Sequence, residues 1–505
     1  MQIVPEWVSQ AMGGPMAPGA IVPEIVLCAT GLLILMADLF VPRGSKRWLA
    51  AIAFLGIIVA IASLRPWAPP PSGSLAFGGL YVLDAFGSFF KYLLLIATFL
   101  TVLMSASYLD EERAQHGEFY ALLCFATLGM MFMVAGNDLV TIFVGLELMA
   151  LSTYVLVGFL KTNPRSNEAA MKYFIVGAFG SAFFLYGISL FYGAAGTTRL
   201  YGVSGSELTA TLGQALAGKL HDTTTVMALI MLSVGLAFKV AAVPFHAWAP
   251  DVYEGAPTPV TAYISVASKA AGFAVVLRVL LVGLYGMQSD WHDLLWVLAV
   301  LSMTLGNAVA ILQSNTKRLL AYSSIAHAGN VLVALVAARA GNEDWAVTAA
   351  LLYLFAYTFM NVGAFALIAA LRRKDIIGDD IKDFSGLGRR CPWAAVAMSV
   401  FLLSLGGIPP TAGFIGKLFV FMAAVKAGEG WLAVIAVLNA AVAVYYYFRI
   451  IVAMWMTEAR DQVPYAWSAT QIATIAIAAV ATLGIGLWPG PFIELARHSL
   501  IHIVR

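Results

Sequence analysis

"GLAFKVAAVPFHAW", residues 235–248, decides the fold class. It closes an apolar run with no charged residue back to Asp222, yet it carries Lys239 and, five residues on, Pro244. A lysine inside a membrane span costs about 2.5–3.5 kcal/mol on insertion scales. A proline inside a helix removes a ladder hydrogen bond and clashes with the preceding turn. Both in one apolar segment imply a membrane helix that is interrupted, with its lysine facing protein or water instead of lipid.

The rest of the chain fits a polytopic membrane protein. Of 505 residues, 61% are hydrophobic and 11% charged, where a soluble domain carries about 25% charged residues. A net charge of +2 argues against a nucleic-acid partner. Cys28, Cys124 and Cys391 lie far apart and form no CxxC or Cys/His cluster, so they read as core thiols and give no iron–sulfur or zinc site. No Gly-rich phosphate loop follows a strand. The opening stretch "MQIVPEWVSQAMGGPMAPGA" has no Lys or Arg, so it lacks the basic region of a cleaved signal peptide, and the first span is expected to be retained.

Apolar windows of about 20 residues mark spans. Fourteen are expected: 20–40, 48–64, 82–107, 117–135, 139–160, 168–194, 224–247, 258–283, 293–312, 318–338, 346–371, 393–425, 430–456 and 466–488. An even number places both termini on one side. Lys and Arg concentrate in the loops after odd-numbered spans, above all in "LRRKDIIGDDIKDFSGLGRRCP" (371–392). The positive-inside rule then puts that loop in the cytoplasm and both termini outside. The segment 195–223 reads as an ordinary long external loop.

Spans 4–8 and 9–13 echo each other, since the fourth of each five is interrupted by proline: "AAVPFHAWAP" in span 7 and "LGGIPPTAG" in span 12. Paired interruptions at corresponding places are the sequence sign of inverted repeats. The expected organisation is a single all-α membrane domain over 1–505. Spans 1–3 occupy 1–116, the first five-helix repeat 117–283 and the second 293–456. Span 14 and the tail occupy 466–505.

Ionisable groups in mid-span are few: Glu147 in span 5, Lys239 in span 7, Lys269 in span 8, His327 in span 10 and Lys417 in span 12. Such residues normally face a protein interior and mark ion or proton paths. The competing reading for Glu147 and Lys239 is an ion pair that only fixes packing. For His327 it is a histidine bonded to Ser323 one turn earlier. Lys91, Lys172 and Arg449 are set aside as side chains that snorkel to the interface. His246 reads as a hydrogen-bonded structural residue. Burial disfavours the charged form of either a lysine or a glutamate. A buried acid–base pair whose spacing or hydration changes is therefore a proton valve, and a row of such groups bridged by Ser, Tyr, His and water is a relay. Neither a metal nor a flavin is needed.

The prolines fit that chemistry. Pro244 has no N–H for the carbonyl of Val240, and Pro409 and Pro410 have none for Leu405 and Gly406. Freed backbone groups inside a membrane persist only where protein or water satisfies them. Each break is therefore expected to make a hydrated pocket at mid-depth, beside Lys239 in one case and two turns before Lys417 in the other.

At these residues the sequence resembles the antiporter-like membrane subunits of respiratory complex I, and within them the N-type branch. The stretches that carry the resemblance are "GNDLVTIFVGLELMALSTYVLVGF" (136–159), "FKVAAVPFHAWAPDVYEGAPTPVTAYISVASKAAGFA" (238–274), "NTKRLLAYSSIAHAGN" (315–330) and "GGIPPTAGFIGKLFVF" (406–421). The resemblance covers nearly the whole chain. It implies that Glu147 is the span 5 glutamate paired with Lys239, that Lys269 is the connecting lysine, that His327 is the polar site of span 10, and that Lys417 serves the second half-channel. Asn330 departs from the family, which often has Tyr after "HxG". The resemblance also implies M-type and K-type neighbours, the lateral helix of an L-type subunit, and lipids around the chain. Flavin, iron–sulfur clusters and quinone would lie in partner subunits, with no cofactor in this one. The implied location is a bacterial inner membrane.

The activity so implied is proton translocation driven by NADH-to-quinone electron transfer elsewhere in the complex. A second reading is a subunit of an Mrp-type cation/proton antiporter or a membrane-bound hydrogenase, which share these charged residues. "YEGAPTP" and "IPPTAGFIGK" favour the first. A third is a structural subunit that only couples its neighbours mechanically.

Overall fold

The computed structural model describes residues 20–42, 46–64, 74–202, 210–339, 341–372, 378–459 and 467–501. The opening stretch before residue 20 and part of the basic loop 371–392 lie outside these residues. The helices, in chain order, are α1 (Val22–Phe40), α2 (Arg47–Leu64), α3 (Ala85–Glu111), α4 (Gly117–Ala135), α5 (Leu139–Val157), α6 (Pro164–Ala195) and α7 (Thr223–Val240). The short α8 (Trp248–Gly255) precedes α9 (Thr258–Gly283), α10 (Gln288–Ala310), α11 (Thr316–Val336) and α12 (Glu343–Ala370). The chain ends with α13 (Pro392–Gly406), α14 (Ala412–Lys426), α15 (Gly430–Met456), α16 (Ala469–Leu487) and α17 (Gly490–Arg497). Among the described residues, thirteen helices are long and apolar enough to cross a membrane. The pair α13 and α14 is the interrupted span 12, so each expected span has its counterpart.

Burial sorts the helices. Every residue of α9 is buried, Lys269 and Arg278 included. α11 and α12 are nearly as enclosed. Around them stand α1, α2, α6, α15 and α16, which expose large apolar residues such as Leu33, Leu55, Phe179, Leu438 and Val480. A helix apolar on all sides sits in a membrane or a core. Here the polar residues point inward and the apolar ones outward, as lipid requires.

Both broken spans stop in the same way. At the end of α7 the chain turns left-handed at Ala241 (φ +57°), with Ala241 N–H donating to Phe238 (3.1 Å) and Ala242 N–H to Ala237 (2.9 Å). At the end of α13, Gly407 (φ +82°) donates to Ser404 (2.9 Å) and Ile408 to Leu403 (3.0 Å). This is the Schellman pattern, which satisfies the last carbonyls of a helix. Pro244 and Pro410 each follow the left-handed residue by three positions. Pro244, Pro409 and Pro410 are exposed on the outer surface, while the lysine side of each break faces inward. Each proline follows the turn that ends its helix.

The described parts of the segment 195–223, residues 195–202 and 210–223, are more ordered than a plain external loop. Leu200 N–H donates to Asn137 O, and Tyr201 N–H to the Asn137 side chain, both at 2.8 Å. Leu212 is fully buried. A two-stranded hairpin, β1 (Ser74–Ala76) with β2 (Tyr81–Leu83), leads into α3, whose first turn Asp84 caps by accepting from Gly87 N–H at 2.7 Å.

Candidate functional site

Four of the five ionisable residues singled out in the sequence are buried: Lys239 and Lys269 are 4% exposed, His327 4% and Lys417 5%. Glu147 is partly exposed on α5, though its Oε1 is enclosed. The structure does not close the expected Glu147–Lys239 pair. Glu147 Oε1 and Lys239 Nζ each lack a hydrogen-bond partner. Glu147 is nevertheless the carboxylate whose field reaches Lys239. The two are coupled through space and not in contact.

Lys239 lies one residue before the end of α7, where a cation opposes the negative end of the helix dipole. The break beside it is braced. Trp248 Nε1 donates to Phe238 O (3.1 Å), the Trp248 ring stacks on Tyr173 at 4.6 Å, and Val243 N–H donates to Ser302 Oγ (2.9 Å). α9 approaches closely here, since a Cβ on Gly272 would sit 3.1 Å from Val240 Cγ1 and 3.7 Å from Lys239 Cβ.

Lys269 follows a π turn over Ile264–Ser268, an irregularity that often marks functional sites in helices. Its Nζ donates to both the carbonyl and the hydroxyl of Ser324, each at 2.5 Å. Ser324 Oγ also lies 3.3 Å from the Tyr253 hydroxyl, and Asn361 Nδ2 donates to Ser265 Oγ at 2.6 Å across α9 and α12. One turn from Ser324, His327 sits between two tyrosines, with Nδ1 2.6 Å from Tyr353 Oη and Nε2 3.2 Å from Tyr447 Oη. Tyr447 bonds Ser323, and Asn330 Nδ2 donates to Tyr353 Oη at 2.9 Å. His327 thus reaches Ser323 through Tyr447. Asn330, the departure from the family pattern, belongs to the same network.

Lys417 comes from α14 but reaches back to α13. Its Nζ donates to the carbonyls of Leu405 (2.9 Å) and Gly406 (2.8 Å). Those are the two carbonyls that the sequence marked as freed by the prolines. Gly407 leaves room for this: a Cβ there would meet Lys417 Cδ at 2.7 Å and Nζ at 3.2 Å. Gly413 lets the halves cross, because its Cβ would fall 1.8 Å from Ser404 O. The fields of Lys269 and Lys417 both reach His327.

Sequence reasoning missed groups that connect these residues, Ser324, Tyr253, Tyr353 and Tyr447, and named Asn330 only as a departure from the family pattern. Ser324 and His327 share a helix face at i, i+3, a signal open to reading. The tyrosines come from distant helices and carried none. It also missed two buried ion pairs. Lys91, set aside as a snorkelling residue, is buried and lies 2.9 Å from Glu24 Oε1, with Tyr81 bonded to both. Arg278 makes a two-pronged pair with Asp84 (2.7 and 3.0 Å) and donates to Val134 O (3.0 Å). Both cations stand in apolar runs of the sequence, which was the available signal. Lys172 and Arg449 are not simple snorkelling residues either: Lys172 pairs with Glu168 (2.8 Å) and Asp251 (2.7 Å), and Arg449 bonds Ile311 O.

At one end of the bundle a polar crater of 310 Å³ is lined by Arg165, Glu168, Lys172, Asp251, Glu254 and Arg318. Burial alone would raise the Asp251 carboxyl, but hydrogen bonds from Lys172 and Arg318 outweigh it and hold Asp251 below the usual carboxylate range. Beneath the crater Lys317 Nζ caps α8, donating to Glu254 O (2.9 Å) and Ala256 O (2.7 Å).

A helical membrane bundle with two broken spans and a row of enclosed cations on its central helices defines a class: proteins that move ions or protons across the bilayer through charged interior groups. Residues 136–443 match the family model described as NADH:quinone oxidoreductase/Mrp antiporter, transmembrane, and the chain belongs to that family. Within it, the chain is similar to NADH-quinone oxidoreductase subunit N 1 of Koribacter versatilis, 48% identical over 486 residues, covering 95% of this chain and 94% of the relative. It is 45% identical to subunit N of Trichlorobacter lovleyi over 482 residues, covering 95% and 96%. Among solved structures, a chain of respiratory complex I from Thermus thermophilus matches with TM-score 0.78 at 32% identity, covering 94% of this chain and 100% of that one. A chain of the Mrp complex from Dietzia sp. shares the fold with TM-score 0.82 at 21% identity, covering 96% and 97%. The sequence likeness thus runs to subunit N, and the Mrp likeness is one of fold.

Proposed function

We propose that this chain is a proton-translocating membrane subunit of an NADH-quinone oxidoreductase, with Glu147, Lys239, Lys269, His327 and Lys417 as its relay. The observation that carries the reading is a row of enclosed ionisable groups, each with polar partners: Lys269 on Ser324, His327 between Tyr353 and Tyr447, and Lys417 on the last carbonyls of α13. Lys239 and Glu147, coupled but apart, form the variable pair. When a carboxylate approaches a buried lysine the ammonium is favoured, and when it withdraws the neutral amine is favoured. A change in their spacing therefore moves a proton without any redox group in this chain. Flavin, iron–sulfur clusters and quinone are assigned to partner subunits.

In this reading the two broken spans belong to inverted five-helix repeats, 117–283 and 293–456. The matching Schellman ends at Ala241 and Gly407 support that pairing. The chain lies in a bacterial inner membrane with both termini periplasmic and the crater at Asp251 on the cytoplasmic face. That is the side on which the positive-inside rule puts 371–392. Its neighbours are M-type and K-type subunits, an L-type lateral helix, and lipid.

The test is Lys239→Ala and Glu147→Ala in the assembled enzyme, with NADH oxidation and proton pumping measured together. Pumping should fall while the complex still assembles. Unchanged pumping at unchanged assembly would reject the relay and favour a purely mechanical subunit.

A further inference from the structure

We propose that Asn330 is a positioning residue that fixes the hydrogen-bond polarity around His327, and that its side-chain amide must turn over before the imidazole can hold a second proton. The inference rests on the relay reading above and deepens it at one residue.

The geometry sets the polarity by counting hydrogens. Asn330 Nδ2 is a donor and occupies one lone pair of Tyr353 Oη at 2.9 Å. The tyrosine has one hydrogen to give, and its other close polar neighbour is His327 Nδ1 at 2.6 Å. Tyr353 therefore donates to Nδ1, so Nδ1 accepts. The neutral ring must then carry its proton on Nε2, which donates to Tyr447 Oη at 3.2 Å. Tyr447 Oη is in turn bonded to Ser323 Oγ, a contact in which either hydroxyl can donate. Donors run in one direction from Asn330 to Tyr447, with His327 as its Nε2–H tautomer.

A second proton must land on Nδ1, since Nε2 already holds one. Nδ1–H then points at Tyr353 Oη, and the tyrosine hydrogen needs another acceptor. Asn330 provides it by a half-turn of its amide, which presents Oδ1 in place of Nδ2. After that turn Tyr353 donates to Asn330 and accepts from Nδ1–H, and no bond is lost. A leucine could not make this exchange, and an aspartate would hold it permanently in the second state. The other groups facing His327 are Tyr357 on α12, its ring 5.0 Å away, and the two ammonium groups, Lys269 on α9 and Lys417 on α14, whose fields reach it.

The test uses the intact complex in membrane vesicles, with NADH oxidation and pumping recorded across the pH range. In Asn330→Asp the carboxylate holds the Tyr353 hydrogen, so the imidazolium is favoured. The pH profile of pumping should move to higher pH by about one unit, a tenfold change in proton concentration, while NADH oxidation persists. In Asn330→Asp with Tyr353→Phe the shift should vanish, because the hydroxyl that transmits it is gone. An unshifted profile in an assembled Asn330→Asp complex overturns the inference. If His327→Gln pumps with the parent profile, the relay reading itself falls instead. The parent complex gives a second reading that needs no Asn330 variant. In infrared difference spectra against His327→Gln, the neutral ring-stretch band should be that of the Nε2–H tautomer. The Nδ1–H band would overturn the inference.

Discussion

Gly407→Ala tests the arrangement of span 12 most directly. The added Cβ would sit 2.7 Å from Lys417 Cδ and 3.2 Å from its Nζ, and Gly407 holds φ +82°. Two costs follow. A side chain in the left-handed region costs about 1–2 kcal/mol. The clash also pushes the lysine off the carbonyls of Leu405 and Gly406, and a hydrogen bond to a charged group contributes about 1.5–3 kcal/mol. Losing one of the two gives a total of about 2.5–5 kcal/mol. The two costs separate in a double-mutant cycle with Lys417→Ala, because the left-handed cost stays and the lysine cost disappears. The expected coupling is therefore about 1.5–3 kcal/mol, read from the thermal unfolding of this subunit in the detergent-solubilised complex. Pumping per NADH oxidised should fall in Gly407→Ala as in Lys417→Ala, and no further in the double variant. If Gly407→Ala costs the same with and without Lys417, the lysine is not seated on the end of α13 and the reasoning fails.

Three further outcomes are expected. Lys91→Met strands the carboxylate of Glu24, whose Oε2 already lacks a partner; breaking a buried pair costs about 3–5 kcal/mol. Assembled complex should drop sharply in that variant and return when Glu24→Gln is added, as native gels would show. Ser324→Ala removes one of two acceptors of Lys269, so pumping should fall severalfold with assembly intact, whereas Ser324→Thr should keep it. Asp251 is held below its ordinary range, so its contribution to stability is present above the unfolded value, about pH 4, and is lost as pH falls further. The difference in melting temperature between parent and Asp251→Asn should accordingly be constant near neutral pH and shrink below about pH 4.

The span map was legible because lipid imposes one rule on every spanning segment, about twenty apolar residues. Lys239, Lys269, His327 and Lys417 were legible for the same reason, since a polar residue stands out against such a background. Partnership was less so. A helix shows which residues share its own face, which is why Ser324 beside His327 could have been read. It does not show what faces it from α12 or α15, which is why Tyr353 and Tyr447 could not. Lys91 failed for a different reason. Its distance from the span end permits snorkelling, and only the packing of α1 against the hairpin brings Glu24 and Tyr81 to it. The π turn before Lys269 left no mark on the sequence, since "ISVAS" has no proline or glycine to announce it.

The two interrupted spans solve one problem in different ways. Each ends its first half in a Schellman turn, and each places a lysine near the carbonyl end of that half. In span 12 the lysine comes from the second half and is seated on two carbonyls at the negative end of α13. Its charge is answered by fixed groups. In span 7 the lysine belongs to the first half, and Trp248, a neutral donor, takes the carbonyl of Phe238. The ammonium of Lys239 is left without a fixed partner, within the field of a carboxylate that does not touch it. A buried charge with fixed partners is stable and hard to move, whereas one without them depends on whatever approaches. In the proposed relay a small movement therefore changes more at Lys239 than at Lys417. Replacing each by arginine separates these roles. Guanidinium stays charged in either place, so Lys417→Arg should retain more pumping than Lys239→Arg. The reverse order would show that span 12, and not span 7, holds the variable proton.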